Sequence, residues 1–254
     1  MNSKKILFIY WLVGFSLIIG CKSNNYLAAL EANRLDVSAE NHLEEDPEIQ
    51  SLIAPYKSEL DAVMAQVIGF TTEDLEKKRP ESNLGNWMAD AIHRKAEKYA
   101  EEEIDFAVQN YGGIRLPIIK KGDITRRKIY ELMPFDNIIS ILYLEKEIVE
   151  ELINHLVESN GWPVSSSLKI QQLSETKTSI LINDKPLNET EVYKVALPDY
   201  IANGGSRCDF LKGKKRNDLS ILIRDALIED VIDFAKNNQA IPAKIEQRFV
   251  TINE

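Results

Sequence analysis

The chain has 254 residues, of which 44% are hydrophobic and 28% are charged. This balance is typical of a globular protein that buries a core, and it excludes an intrinsically disordered chain. The formal net charge of -9 argues against a nucleic-acid partner, because such a surface needs a basic patch for the phosphate backbone.

The N-terminus has the pattern of an export signal. Lys4 and Lys5 precede an apolar run from Ile6 to Gly20, which is shorter than the roughly 20 residues of a membrane-spanning helix. The run ends in Leu17-Ile18-Ile19-Gly20-Cys21, which resembles the processing site of bacterial lipoproteins. The resemblance implies a signal peptide over residues 1–20 and a lipid on Cys21, which holds the chain at the periplasmic or cell-surface face of a bacterial membrane. An uncleaved anchor is the alternative, and both place the rest of the chain outside the cytoplasm.

Residues 21–45 are polar, as expected for a flexible tether between a lipid anchor and a folded body. We expect the body, residues 46–254, to form one domain. If Cys21 carries lipid, Cys208 has no partner within the chain, so no disulfide framework holds the fold. No histidine lies near Cys208 in the sequence, which favours a small half-buried thiol over a nucleophile.

The first half of the body alternates between helical and extended patterns. Apolar residues at helical spacing start after Pro47, and Val63 to Phe70 has the pattern of a strand. Ser82 or Asn83 is placed to cap a helix that ends by Ala100, with His93 on its surface. Its predicted core stripe comprises Leu84, Trp87, Met88, Ala91, Ile92 and Ala96, and a buried strand follows from Ile104 to Val108.

Two glycines and an arginine follow that strand. Backbone amides around Gly112 and Gly113 are suited to cradling an anion, and Arg115 to gripping a phosphate, although these residues alone are a weak signal. The remaining pattern predicts a mixed β-sheet with flanking helices, an α+β fold. Its predicted elements are a helix over 126–132, a strand over 138–144, a helix over 147–157 with His155 off the apolar face, paired strands over 168–173 and 179–182, a third short strand after Asn183-Asp184, a strand over 193–197, a basic loop over 212–217, a helix over 222–234 and a strand over 248–252.

Tyr200 stands four residues before Gly204 and Gly205, just after the predicted strand over 193–197. An aromatic ring beside bare backbone is a platform for a flat ligand. The two glycines are equally compatible with a simple tight turn, and taken alone this second interpretation is favoured.

Four motifs follow one another along the body, and together they closely resemble the C-terminal domain of the 5'-nucleotidase family, which also contains UDP-sugar hydrolases and 2',3'-cyclic-nucleotide phosphodiesterases. They are Glu81-Ser82-Asn83-Leu84-Gly85-Asn86, Asn110-Tyr111-Gly112-Gly113-Ile114-Arg115, Pro134-Phe135-Asp136-Asn137 and Asp199-Tyr200-Ile201-Ala202-Asn203-Gly204-Gly205. The resemblance covers the chain from about Pro47 onwards. It implies the fold of that domain and a role in substrate recognition.

The resemblance also implies roles for individual residues. Phe135 and Tyr200 match two rings that sandwich a nucleobase, Asn137 matches the asparagine that bonds the base, and Arg115 matches an arginine that reaches the phosphates. The turns formed by Asn110, Gly112, Gly113, Gly204, Gly205 and Ser206 match segments that bring backbone close to the ligand. Phe135 also fits an alternative role as a core ring after a proline.

The chain departs from the family in one turn. Family members commonly continue Gly-Gly-Asp-Gly-Tyr, and their aspartate helps to bind the nucleoside, whereas this chain has Ser206 and Arg207 after Gly205. A hydroxyl cannot hold a ribose diol as a carboxylate does, so nucleoside affinity is expected to differ. Upstream, Lys77, Lys78 and Arg79 crowd a region where family members carry further phosphate-binding arginines.

In that family the chemistry lies in a separate N-terminal metallophosphoesterase domain with two metal ions. The three histidines of this chain, His42, His93 and His155, stand in no metal-binding motif, so we expect no catalytic residue, no cofactor and no metal here. The short stretch between Cys21 and the body also leaves no room for that domain. We therefore expect the recognition part of a split 5'-nucleotidase, inactive alone, with a separate metallophosphoesterase partner that holds the divalent metals. A stand-alone nucleotide- or nucleoside-binding lipoprotein, or a non-catalytic scaffold, is the alternative.

Overall fold

The computed structural model describes residues 46–174, 177–188 and 192–251, and its compact unit begins at Ser51. The elements in chain order are α1 (Pro47–Met64), β1 (Val67–Thr71), β2 (Leu75–Glu76), α2 (Asn83–Ala100), β3 (Phe106–Ala107), β4 (Ile118–Ile119), β5 (Gly122–Thr125), α3 (Arg126–Leu132), β6 (Ile138–Glu145), α4 (Lys146–Glu158), β7 (Leu168–Ser174), β8 (Lys177–Ile182), β9 (Lys185–Pro186), β10 (Val192–Pro198), α5 (Asp199–Ala202), β11 (Arg216–Leu222), α6 (Ile223–Lys236) and β12 (Phe249–Val250).

The central sheet has the strand order β11-β6-β10-β3. β6 pairs antiparallel with both β11 and β10, whereas β10 pairs parallel with β3, so the sheet is mixed as predicted. Side chains alternate along β6, and both of its faces are buried. Ile139 and Ile141 belong to one core cluster, and Leu142 and Leu144 to another.

Helices cover both faces of this sheet, which explains why β6 is apolar on each side. On one face, α2 and α6 pack together, and the predicted stripe of α2 is fully buried. The helix starts where the sequence predicts, because the Ser82 hydroxyl accepts a hydrogen bond of 3.0 Å from the backbone N–H of Gly85. On the other face, α4 contributes Leu152, Ile153 and Leu156 to the second cluster.

A second sheet, in the order β12-β7-β8-β9, contains the predicted hairpin. Asn183 and Asp184 form the tight turn before β9, with positive φ values of 51° and 62°. The C-terminal segment is tied to α2 through Arg248, which is 3% exposed and donates to both carboxylate oxygens of Asp90 at 2.9 and 2.7 Å.

Several predicted boundaries need correction. The first strand spans residues 67–71 rather than 63–70, because α1 continues to Met64. Residues 216 and 217 of the predicted basic loop belong to β11, whose pairing with β6 orders them. The short strands β2, β4 and β5 were not predicted, since none has enough residues for a periodic signal.

The environment of His93 differs from the prediction, whereas His155 lies off the buried stripe of α4 as predicted. His93 is not a surface residue: its side chain is 17% exposed, and Nε2 lies 2.7 Å from the carbonyl oxygen of Ile104. His155 packs its ring edge against Trp162 with centroids 5.2 Å apart, and its Nε2 is shielded from solvent. His42, Cys21 and the predicted signal peptide and tether lie outside the described residues.

The apolar stripe of α1 is exposed in the described part of the chain. Leu52, Tyr56 and Leu60 are 70%, 74% and 55% exposed, and the helix has no buried residue. The helical spacing therefore predicted the helix correctly, although the apolar side chains of the helix are not buried. Among the described residues, no helix combines the length and the apolar character needed to cross a bilayer.

Candidate functional site

The ends of three neighbouring strands meet at one edge of the central sheet. Pro198 at the end of β10 is paired with Ile139 at the start of β6, so the segments on either side of this pair are neighbours. β3 runs parallel to β10 and ends at the same edge. The loop before β6, the helix after β10 and the turn after β3 are thereby brought together. They carry Phe135, Tyr200 and Arg115 respectively.

These segments enclose a cleft of about 700 Å³. Eight of the ten binding residues expected from the sequence line it, and Gly204 and Gly205 lie in the turn just behind Tyr200. The lining consists of Asn110, Gly112, Gly113, Arg115, Pro134, Phe135, Asp136, Asn137, Tyr200 and Ser206. The binding role of these residues stays a prediction.

Both aromatic rings of the cleft are exposed. Phe135 is 39% exposed and Tyr200 is 47% exposed, in a protein whose other rings include the fully buried Trp87 and Phe106. The alternative of a core ring for Phe135 is therefore wrong. Exposed rings that line a cavity are suited to stacking on a planar ligand.

A loop of residues Pro134–Asn137, here called the phenylalanine loop, is held by an arginine from α6. Arg224 donates to the Asp136 carboxylate at 2.9 Å and to the Phe135 carbonyl at 3.4 Å, and its guanidinium lies 4.4 Å from the Tyr130 ring centroid. No local pattern in the sequence indicates this contact, because Arg224 is 89 residues from Phe135.

Asp199 links the two aromatic walls. Its Oδ1 accepts hydrogen bonds from the Asn137 side chain at 2.9 Å, from the Ile138 backbone at 3.2 Å and from the Tyr200 backbone at 2.8 Å. One of the two amide N–H groups of Asn137 is thus committed to Asp199, and the amide oxygen is the group able to accept from a ligand. Asp199 was not predicted as a site residue.

The Tyr200 wall depends on the glycine turn. A Cβ atom on Gly205 would lie 2.5 Å from Cε1 and Cζ of Tyr200, so only glycine lets the ring pack there. The backbone N–H of Ser206 donates to the Tyr200 hydroxyl at 3.2 Å. The interpretation of Gly204-Gly205 as a tight turn is correct, and that turn also positions the ring. The role of the ring as a platform for a flat ligand stays a prediction.

Three cations lie close together beside the cleft. Lys77 Nζ and the Arg79 guanidinium each lie 4.0 Å from the Tyr111 ring centroid, and Arg115 lies 5.7 Å from the centroid of Phe135. Burial lowers the pKa of Lys77, and the positive charges of Arg115 and Arg79 lower it further. Lys78 instead pairs with Glu76. This basic cluster opposes the negative net charge of the chain and is suited to an anion.

Cys208 is fully buried rather than half-buried, and burial raises the pKa of its thiol to about 11. A neutral, inaccessible thiol is not a nucleophile, in agreement with the interpretation from sequence. Across residues 46–251, apart from the undescribed gaps, no group of three or more His, Cys, Asp or Glu side chains is arranged to hold a metal. These residues do not fit a dimetal centre.

Comparison with known proteins gives the family. The model of the 5'-nucleotidase C-terminal domain matches residues 67–213. The chain is 28% identical over 193 residues to the trifunctional nucleotide phosphoesterase protein YfkN of Bacillus subtilis, covering 65% of this chain and 12% of that protein. Human 5'-nucleotidase is 27% identical over 198 residues, covering 66% of this chain and 34% of its own length.

Solved structures support the same assignment. The 5'-nucleotidase precursor of Thermus thermophilus superposes with a TM-score of 0.66 at 27% sequence identity, covering 83% of this chain and 44% of that one. The NAD nucleotidase of Haemophilus influenzae shares the fold, with a TM-score of 0.61 at 19% identity over 82% of this chain and 42% of that chain. The chain spans less than half the length of each of these relatives. The chain belongs to the 5'-nucleotidase C-terminal domain family.

Proposed function

We propose that this chain recognises a nucleotide and holds its base between Phe135 and Tyr200. The observation that carries the proposal is the cleft itself, in which two exposed rings and Arg115 line one cavity of about 700 Å³. Stacking on aromatic side chains contributes roughly 1–3 kcal/mol per base and accepts different bases. The cleft is therefore permissive for the base.

The phosphate end is supported by Lys77 and Arg115 of the basic cluster. Burial and then the charges of Arg115 and Arg79 lower the pKa of Lys77, and a bound phosphate offsets the repulsion between these cations. Asn110, Ser206 and the amide oxygen of Asn137 supply neutral hydrogen-bonding groups for the sugar and base.

Hydrolysis, in this proposal, requires a separate exported metallophosphoesterase that holds two divalent metal ions and an activated water. One feature supports such a partner. The exposed apolar face of α1, with Leu52 and Tyr56 at its centre, is of the kind that protein partners cover. A lipid on Cys21 holds the complex at a bacterial membrane.

A stand-alone nucleotide-binding lipoprotein, or a scaffold with an empty cleft, is the second candidate. Ser206 favours this second candidate. The family's aspartate at this turn helps to bind the nucleoside, and a hydroxyl binds a ribose diol more weakly than a carboxylate does.

Calorimetry with AMP tests the cleft. Loss of one stacked ring in Tyr200→Ala should raise the dissociation constant by about five- to 150-fold, the equivalent of the stacking energy. Tyr200→Phe keeps the ring and is the matched control. Equal affinity of Tyr200→Ala and the wild type would show that the base does not stack there.

Phosphate release tests the partner. With manganese or zinc the purified chain should release no phosphate from AMP, and adding the metallophosphoesterase should restore turnover. Leu52→Glu should prevent that rescue by disrupting the α1 face while leaving AMP binding intact, because Leu52 lies outside the cleft. Turnover by the isolated chain would refute the split enzyme, and AMP binding without rescue would favour the stand-alone lipoprotein.

A further inference from the structure

A second cavity of about 560 Å³ adjoins the cleft, and Gly112 and Ser206 line both. Its other walls come from separate parts of the chain, since α4 ends there and the turn after α5 closes one side. The remaining lining residues are Arg79, Tyr111, His155, Glu158, Ser159, Trp162 and Arg207. A ligand in the cleft therefore has room to extend past Ser206.

Two arginines on these walls form no ion pair in the described part of the chain, although Arg207 also borders a neighbouring pocket lined by Glu147, Glu150, Glu151 and Glu158. Neither Arg79 nor Arg207 has a carboxylate within ion-pair distance in the described residues, although Glu158 lines the same cavity. The guanidinium carbon of Arg79 lies 4.0 Å from the Tyr111 ring centroid. A guanidinium has five N–H donors, so this contact leaves donors for a ligand in the cavity.

The ring of His155 lines the same cavity. It is held between Trp162 and Phe210, with centroid distances of 5.2 and 6.2 Å. Its Nε2 is shielded from solvent and has no hydrogen-bond partner in the described part of the chain. We assign this nitrogen no part in ligand binding.

The backbone that carries Arg207 is strained. Ser206 and Arg207 are consecutive non-glycine residues with positive φ of 56° and 67°. Left-handed backbone disfavours side chains with a Cβ, and strain of this kind clusters at functional sites. The strained turn is also joined to the cleft, because the Ser206 backbone N–H donates to the Tyr200 hydroxyl. Arg207 follows Ser206 directly and lines the second cavity.

We propose that the second cavity binds a second phosphate group of the nucleotide whose base lies in the cleft, with Arg207 and Arg79 as hydrogen-bond donors. The inference rests on the proposed function. A guanidinium donates two parallel hydrogen bonds to a phosphate, and a second anionic group gives the unpaired arginines a partner. The second phosphate is attached either to a ribose hydroxyl or to the 5'-phosphate.

Calorimetry on the full chain with adenosine, AMP, adenosine 3',5'-bisphosphate and ADP tests this. One of the two doubly phosphorylated ligands should bind about tenfold more tightly than AMP, as expected for a charge-assisted pair, and the preferred ligand identifies where the second phosphate is attached. Arg207→Gln should reduce the ratio of the affinity for this preferred ligand to the affinity for AMP to about one. Arg127→Gln is the matched control, because it removes one exposed arginine charge from α3, outside both cavities.

Arg79→Gln provides a second variant from the opposite segment and should also reduce the ratio. The inference is overturned if AMP binds and the ratio is about one in the wild type, or if neither variant changes it. If neither adenosine, AMP nor either doubly phosphorylated ligand binds, the proposed function is refuted, and this inference is refuted with it.

Discussion

Gly205 is the backbone position on which the Tyr200 ring depends, and Gly205→Ala tests that dependence. The added Cβ would lie 2.5 Å from two ring atoms and 2.5 Å from the Tyr200 carbonyl oxygen, about 0.9 Å short of the 3.4 Å at which ordinary contact begins. Since one of these atoms belongs to the backbone, a change of side-chain rotamer cannot relieve the overlap. The turn and the ring must move together by about 1 Å.

Such a shift has two measurable consequences. We expect the free energy of unfolding in urea to fall by about 1–3 kcal/mol, as for other overpacked sites. We also expect the dissociation constant for AMP to rise by about tenfold, because the displaced ring loses part of its stacking on the base.

Gly112→Ala is the control for stability. It adds the same methyl group on another wall of the cleft, where the nearest atom, Asn110 Nδ2, is 3.7 Å away. Its free energy of unfolding should change by less than about 1 kcal/mol. A Gly205→Ala variant that binds AMP with wild-type affinity, measured at a temperature where it is fully folded, would refute the role given to the turn.

Three further outcomes are expected. Asp90→Ala removes the bidentate partner of the buried Arg248, which keeps its ion pair with Glu246, and should lower the free energy of unfolding by about 1.5–3 kcal/mol in urea titrations; a loss below about 1 kcal/mol would contradict this. In a Cys21→Ser background, Cys208 should resist a thiol reagent at pH 8 until the chain unfolds. Because burial raises the pKa of the folded Cys208 thiol to about 11, its contribution to the free energy of unfolding is fully present below about pH 9 and is lost as the pH rises through about 11. A free energy of unfolding that stays constant over this range would contradict the burial of the thiol. Arg224→Gln frees the phenylalanine loop and should weaken AMP binding by about fivefold in calorimetry, whereas unchanged affinity would show that the loop holds its position unaided.

Local patterns were sufficient for much of the fold and for the rings of the cleft. The cap at Ser82 and the buried stripe of α2 follow from helical spacing, which depends on neighbouring residues alone. Phe135 and Tyr200 were predicted because each stands in a short motif. Their shared cleft follows from the pairing of β6 with β10, which the sequence pattern did not specify.

Contacts between distant segments could not be predicted. Asp199 joins the two aromatic walls, and Arg224 reaches the phenylalanine loop from α6, through side chains with no periodic signal. His93 was predicted to be exposed because its helical neighbours are charged, but the turn that ends at Ile104 covers it. The second cavity likewise depends on Arg79, Trp162 and Arg207, which meet only in the folded chain.

The position of the base in the cleft is the central claim, and nuclear Overhauser contacts between bound AMP and selectively labelled aromatic rings test it most directly. We expect contacts from the protons of the adenine ring to the rings of both Phe135 and Tyr200. Contacts to Tyr111 and Trp162 instead, which line the second cavity, or the absence of contacts to any of these rings from bound AMP, would contradict it.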